Sequence, residues 1–230
     1  MGMVEPTATN MWQPHMTTDQ GILTLTQWLS PAYPVGAFAY SHGLEAAIQA
    51  GAITSGDDLK DWLADIISHG SGRNDCILLR AAFTSESGDA LHAVNDMALA
   101  FAASAERQLE QSLQGAAFGK TTAAIWGSGG DDLVYPVAVG NAAAQLQIDV
   151  TLTAAMYLHA VISNLISAAM RLMALGQTDG QAILAALTPL CDETARNTEG
   201  AVLDDLQSTA FMVDIAAMHH ETLQPRIFRT

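Results

Sequence analysis

The chain has 230 residues, half of them apolar and 14% charged, with a formal net charge of −15 at pH 7. That length suits one large domain or two small ones. So acidic a balance excludes nucleic-acid binding through a basic, phosphate-tracking patch, and leaves proteins with basic faces, or cations, as the expected partners.

Residues 1–20, "MGMVEPTATNMWQPHMTTDQ", lack the basic and apolar regions of a signal peptide and read as a flexible tail. A leucine-rich helical segment then runs into "SPAYPVGAFAYSHGLEAAIQAG", Ser30 to Gly51. Pro31 and Pro34 deny helix continuation, so the chain must turn. Gly36 admits a backbone angle or close approach closed to other residues. Phe38 and Tyr40 can pin the turn to the core, with one ring left at a surface. "YSHGLE" restarts a helix, with Ser41 as its cap and Glu45 near its first turn. The stretch reads as a rigid corner that presents a docking surface. Ser41 and His42 are adjacent, but no G-x-S-x-G elbow and no placed acid accompany them.

In "SGDDLKDWLADIISHG", Leu59, Trp62, Leu63, Ile66 and Ile67 keep helical spacing, with Ser55 as cap and Asp57 and Asp58 at the positive end. "GAAFGKTT", Gly115 to Thr122, places three residues between its glycine and Gly-Lys where a phosphate loop needs four, and it follows a helical run. It reads as a helix whose glycines allow close packing. "DDLVYPVAV" is the one strand candidate. Pro136 interrupts it, so it reads as a loop entering an Ala-rich helix. In "AVISNLISAAMRLMALG" a wide apolar face opposes Asn164, Ser167 and Arg171, with Gly176 as C-cap. Val161–Leu175 falls short of the roughly 20 unbroken apolar residues of a membrane span and reads as a buried helix. "TDGQAILAAL" opens a short helix capped by Thr178 or Asp179. A last helix runs roughly from Val202 to Ala217. About ten helices, no repeat and no linker predict an all-α, single-domain bundle over 21–217. The faces around Leu109, Leu113 and Ala116, or Val161 to Met173, hold more apolar surface than such a bundle covers, which predicts a homodimer or hetero-complex.

Cys76 and Cys191 lack C-x-x-C spacing and fit a reducing cytosol. His15 lies in the N-terminal tail; His42, His69, His92 and His159 are isolated and read as surface or core residues. His219, His220 and Glu221 combine types that suit Ni²⁺ or Zn²⁺. Neighbours at i and i+1 point to different sides of a helix, however, so a closed site needs a further ligand. No metal site is assigned; these three are the candidates.

"LTQWLSPAYPVGAFAYSHGLEAAIQAG" closely resembles the opening motif of the urease accessory protein UreF family, S-P-x-x-P-V-G-x-F-x-Y-S-x-G-L-E. "ERQLEQSLQGAAF", "YPVAVGNAAAQLQI", "SNLISAAMRLMALGQTDGQAIL" and "MHHETLQPRIFRT" resemble further family segments in order, so the likeness covers Leu23 to Thr230. Ile227 stands where the family has Leu, Thr230 where it has Ser, and Pro225 stiffens the ending. The resemblance implies a non-enzymatic, all-helical, cytoplasmic factor for urease maturation. Its implied partners are UreD (also called UreH), the GTPase UreG and urease apoprotein, and it is expected to be a homodimer without nucleic acid or membrane partners. Nucleotide hydrolysis then belongs to another chain, no cofactor is held stably, and nickel transits the complex. The implied partner-binding residues are Pro34, Gly36, Phe38, Tyr40, Glu45, His220, Glu221, Arg226, Phe228 and Arg229. Residues 218–230 are expected to order only on UreD, anchored by Arg226, Phe228 and Arg229. The competing reading is a metal-dependent or acid–base helical enzyme using His42, Glu45, His219, His220 and Glu221.

Overall fold

The computed structural model describes residues 18–128 and 132–230. The described residues contain ten α-helices and two 3-10 turns, and no strand. Most of the expected N-terminal tail lies outside them, but Thr18 to Gln20 already belong to α1 (Thr18–Trp28). The corner follows, with a 3-10 turn at Ala37–Ala39, and then α2 (Leu44–Gln49). After α3 (Gly56–His69) and α4 (Ser71–Phe83) come α5 (Gly88–Ala100) and the long α6 (Ala105–Trp126). The remaining helices are α7 (Tyr135–Gln145), α8 (Val150–Leu172), α9 (Gln177–Asn197) and α10 (Phe211–His220).

Local chemistry explains several of the boundaries. The Ser55 side chain accepts from Asp58 N while the Asp58 carboxylate accepts from Ser55 N, a capping box that starts α3 as expected. Its Leu59, Leu63, Ile66 and Ile67 are fully buried, each worth about 1.5–3 kcal/mol of hydrophobic transfer. Pro136 sits in the first turn of α7, where a missing N–H costs nothing, so the strand candidate is a helix entry. Asn95 Oδ1 accepts from Val134 N at 2.7 Å and fixes the preceding loop.

Other expected boundaries move. α8 stops at Leu172, with Met173 as its C-cap, four residues before Gly176. Gly176 instead precedes α9, which runs on through Pro189 for 21 residues, so neither Thr178 nor Asp179 is a cap. The last helix begins at Phe211, after a 3-10 turn at Leu203–Asp205, because residues 205–209 are tied to α3 and α4: Arg73 Nη1 donates to Asp205 O, Asn74 Oδ1 accepts from Gln207 N, and Thr209 N donates to His69 O.

α4 is the central post, with α3, α5, α7 and α8 packed around it, and the buried apolar side chains form one contiguous cluster. Close approach between helices depends on small residues. A Cβ at Gly140 would collide with the carbonyl of Leu79 on α4, and one at Gly115 with the backbone of Leu133 to Tyr135 ahead of α7. "GAAFGKTT" is thus an unbroken part of α6. Aromatic rings run through the interior as Trp126–Trp28–Phe118–Tyr135–Tyr157, with centroids 5.3–5.8 Å apart. α8 is long and apolar enough, by length and composition, to cross a membrane, yet half of its most apolar window is buried inside the protein. Ile162, Leu165, Ile166 and Ala169 are covered by the protein itself, so that face is not left over for a partner. Leu109 and Leu113 do stay exposed.

Replacing Gly140 by Ala forces α4 and α7 apart and should cost about 1–3 kcal/mol in urea denaturation. Gly88→Ala, in open space at the start of α5, should lie within about 0.5 kcal/mol of the parent.

Candidate functional site

The corner turns through left-handed backbone. Gly36 has φ 75°, and His42 and Gly43 follow with φ 53° and 79°. Gly43, not Ser41, precedes α2, and a Cβ there would lie 2.5 Å from Ala217 N, so α10 crosses directly on this glycine. Ser41 keeps part of the capping role, its Oγ accepting from Glu45 N at 3.4 Å, while its hydroxyl and its N–H both donate to Thr230 O, the latter at 2.7 Å. Arg229 N donates to Ala39 O at 2.8 Å. The C-terminal segment therefore lies alongside the corner.

That contradicts the expectation of a segment ordered only on a partner. The reason is Glu45, whose side chain is fully buried. Its Oε1 accepts from Ile227 N at 2.7 Å and its Oε2 from Phe228 N at 2.8 Å, with His220 Nε2 3.3 Å away. The tail's backbone amides thus satisfy a carboxylate that water does not reach. His220 Nδ1 lies 2.7 Å from Glu106 Oε2, and Arg226 pairs with the other oxygen of Glu106. Phe228 is buried under the Arg171 guanidinium, 4.4 Å from its ring centre, while Arg171 Nη1 donates to Phe38 O at 3.0 Å.

A second buried carboxylate lies behind the first. Glu110 accepts from Gln114 Nε2 and Thr230 Oγ1, pairs with Arg107, and faces His42 Nε2 at 2.8 Å. Burial pushes the Glu110 pKa up, but Arg107 and His42 outweigh it and hold the carboxyl at about 2. Burial and the Arg107 charge push His42 below its ordinary value, with Glu110 opposing, so the ring is neutral at pH 7. Asp75 on α4 goes the other way: burial raises it to about 6, partly offset by Arg107 and by the hydroxyl of Tyr157, which donates to it at 2.9 Å. A cavity of about 400 Å³ opens beside this cluster, between the corner, α6 and α8.

The structure buries Tyr40, brings Glu45, His220 and Phe228 together in the interior, and leaves Pro34, Gly36, Phe38, Glu221, Arg226 and Arg229 exposed. Of the two corner rings, Phe38 is the one at the surface. His219, His220 and Glu221 do not converge: His219 is exposed, His220 faces Glu45 and Glu106, and Glu221 accepts from Ala105 N at the start of α6. Among the described residues no three His, Cys, Asp or Glu side chains are grouped to hold a metal ion. Sequence reasoning missed Asp75, Glu106, Arg107, Glu110 and Thr230. The signal was present in "ERQLEQSLQ", whose Arg107, Glu110, Gln111 and Gln114 keep the spacing of a helix face.

Comparison with known proteins agrees with the motif order. The UreF family model matches residues 53–188. A urease accessory protein UreF from Ruegeria pomeroyi is 51% identical over 93% of this chain and 98% of its own length. The chain belongs to the UreF family. A UreF from Roseobacter denitrificans is likewise 51% identical, over 94% of this chain and 96% of its own, and one from Jannaschia is 44% identical over 91% and 94%. The UreF model begins at Ile53 and stops before Pro189, so the corner and the C-terminal segment lie outside it, while the pairwise matches span over nine-tenths of the chain.

Deleting residues from Gln224 onward removes the donors to Glu45 and the cover of Glu110. The melting temperature should fall by at least about 5 °C, since each buried group left unpaired costs about 1–3 kcal/mol. An unchanged melting temperature would show that the tail contributes nothing to its own domain.

Asp75 binds its proton more tightly when folded than its ordinary value of 3.8 allows unfolded. Its contribution therefore favours the fold below about pH 4, declines as pH rises to about 6, and is constant above. Asp75→Asn, which keeps an acceptor for Tyr157, should gain about 2–3 kcal/mol on the parent between pH 4 and pH 7 in urea denaturation.

Proposed function

We propose that this protein is a non-enzymatic scaffold in urease maturation, acting with UreD and the GTPase UreG so that GTP hydrolysis by UreG drives nickel into urease apoprotein. Membership of a family whose relatives are named urease accessory proteins supports the urease setting. The observation that carries the scaffold reading is the outward face of α10. Phe211, Met212, Ile215 and Met218 are 41–66% exposed on a ten-residue helix that turns its histidine His220 inward. A stripe of four large apolar side chains in water is the signature of a surface that a partner covers. Ile227, Arg226 and Arg229 of the tail are exposed as well, and Arg is among the residue types that anchor protein interfaces. We assign this face to UreD and the exposed Leu109–Leu113 face of α6 to a homodimer contact, with the assembly in the cytoplasm. Nickel is cargo that transits the complex, and this chain holds no cofactor of its own.

The test is urease activation in cells carrying the urease subunits, UreD, UreG and this chain. Phe211→Asp with Met218→Asp should keep the helical circular dichroism of the parent, lose co-purification with UreD, and lower urease activity and nickel per urease site by at least about ten-fold. Retained UreD binding would overturn the assignment of this face. Calorimetry of the isolated chain with GTP should show no binding, since Gly115–Thr122 is interior helix; micromolar affinity abolished by Lys120→Ala would overturn that reading.

A further inference from the structure

The lining of the 400 Å³ cavity includes the exposed Thr26, Pro31 and Phe38, so it is open to the surface between α1, the corner and α8. Val35 and the rings of Tyr33 and Tyr135 form a buried apolar wall, and Met156 and Ala160 stand half-buried on the α8 side. The charges that border it, Arg107 and Glu110, pair with each other. Such a hollow favours an apolar, uncharged guest. One side of α1 leads to it. Ile22, Leu23, Thr26, Leu29 and Ser30 share that side by helical spacing. Ile22 and Leu23 are 40% and 70% exposed, and Thr26, Leu29 and Ser30 line the cavity. An apolar strip thus starts near the first turn of α1 and runs into the hollow.

We propose that the chain's own N-terminal segment, residues 1–17, folds back along α1 and seats Trp12 in this cavity, as a cover of the groove between the corner and α8. Those residues, "MGMVEPTATNMWQPHMT", lie outside the described ones, directly ahead of Thr18. They hold four of the chain's ten Met and one of its four Trp, with no Lys, no Arg and a single acid, Glu5. A tail kept in water by its composition carries charge and few aromatics. This one carries side chains that fill irregular apolar gaps, on a chain whose formal net charge is −15. A Trp side chain buries about 150–250 Å² of surface, and cavities of about 300–1,000 Å³ receive organic guests larger than one ring. The reach also fits. Thr18 to Thr26 is about 12 Å along the helix at 1.5 Å per residue. Trp12 precedes Thr18 by six residues, about 20 Å of extended chain, and Pro14 between them suits the necessary turn. His159 and Ser163, half-buried on the α8 wall, offer polar atoms to the backbone of such a segment. The tether favours this occupant over a free one, because a short linker presents its segment at about millimolar effective concentration. The faces assigned above to UreD and to the homodimer lie on α10 and on the outer side of α6, so this inference does not rest on the scaffold reading.

Fluorotryptophan incorporated into the full chain gives a fluorine resonance for each of the four Trp, and Trp12→Phe assigns that of Trp12. In the parent this resonance should stand apart from free fluorotryptophan and lose most of the shift that a solvated ring shows between H2O and D2O. Ala160→Arg, which drives a long charged side chain into the cavity from α8, should return both readings to the free values with unchanged helical circular dichroism. His92→Arg, exposed on α5 and away from the cavity, should leave both as in the parent. Dilution should change neither, because the contact is made within one chain. Free values in the parent would overturn the proposal and leave the cavity to a partner. Shielding indifferent to Ala160→Arg would overturn it as well. Shielding that fades on dilution, together with a fall in mass by light scattering, would overturn it in favour of a second copy. Should Ala160→Arg fail to fold, Ser163→Arg on the same wall decides by the same criterion.

Discussion

A carboxylate withdrawn from water must be given donors, and the fold around the corner is arranged to supply them to Glu45 and Glu110. The two sit on different helices, α2 and α6, and neither finds enough partners on its own element. Glu45 takes two backbone amides from residues that follow α10, and Glu110 takes Arg107, Gln114 and the hydroxyl of Thr230. Meeting that demand fixes the left-handed corner, the crossing of α10 on Gly43 and the path of the tail.

Electrostatics and packing reinforce one another here. Arg107 holds Glu110 ionised and helps keep His42 neutral, while at Asp75, which shares its field, burial prevails. The Tyr157–Asp75 hydrogen bond links this polar interior to the ring stack ending at Trp126. Arg80 shows the same economy without a carboxylate. It is buried, and its guanidinium donates to Ala195 O and to the hydroxyls of Thr151 and Thr198, using the negative end of α9 as its partner.

What was legible in the sequence was what local rules govern. The capping box at Ser55, the helix entry at Pro136 and the turn at Gly36 each depend on residues within a few positions, and the all-α class followed from periodicity. The site was only half legible. The corner could be located, but periodicity says which residues share a face, not which face turns inward. In the first half of α6 the rule inverts: Arg107, Glu110, Gln111 and Gln114 are buried while Leu109 and Leu113 face out. The tail was misjudged for the same reason. Its seat is a carboxylate about 180 residues earlier, and no local pattern announces a partner so distant.

The order of synthesis gives the tail's position a further consequence. Residues 226–230 leave the ribosome after the ten helices of the described residues, so earlier nascent intermediates carry Glu45 and Glu110 without their last donors. The bundle can collapse early around α4, but its corner stays wet and unlatched until translation has passed Thr230. Until residues 226–230 reach it, a partly folded chain is open at one seam, where α2 and α6 hold buried carboxylates short of donors.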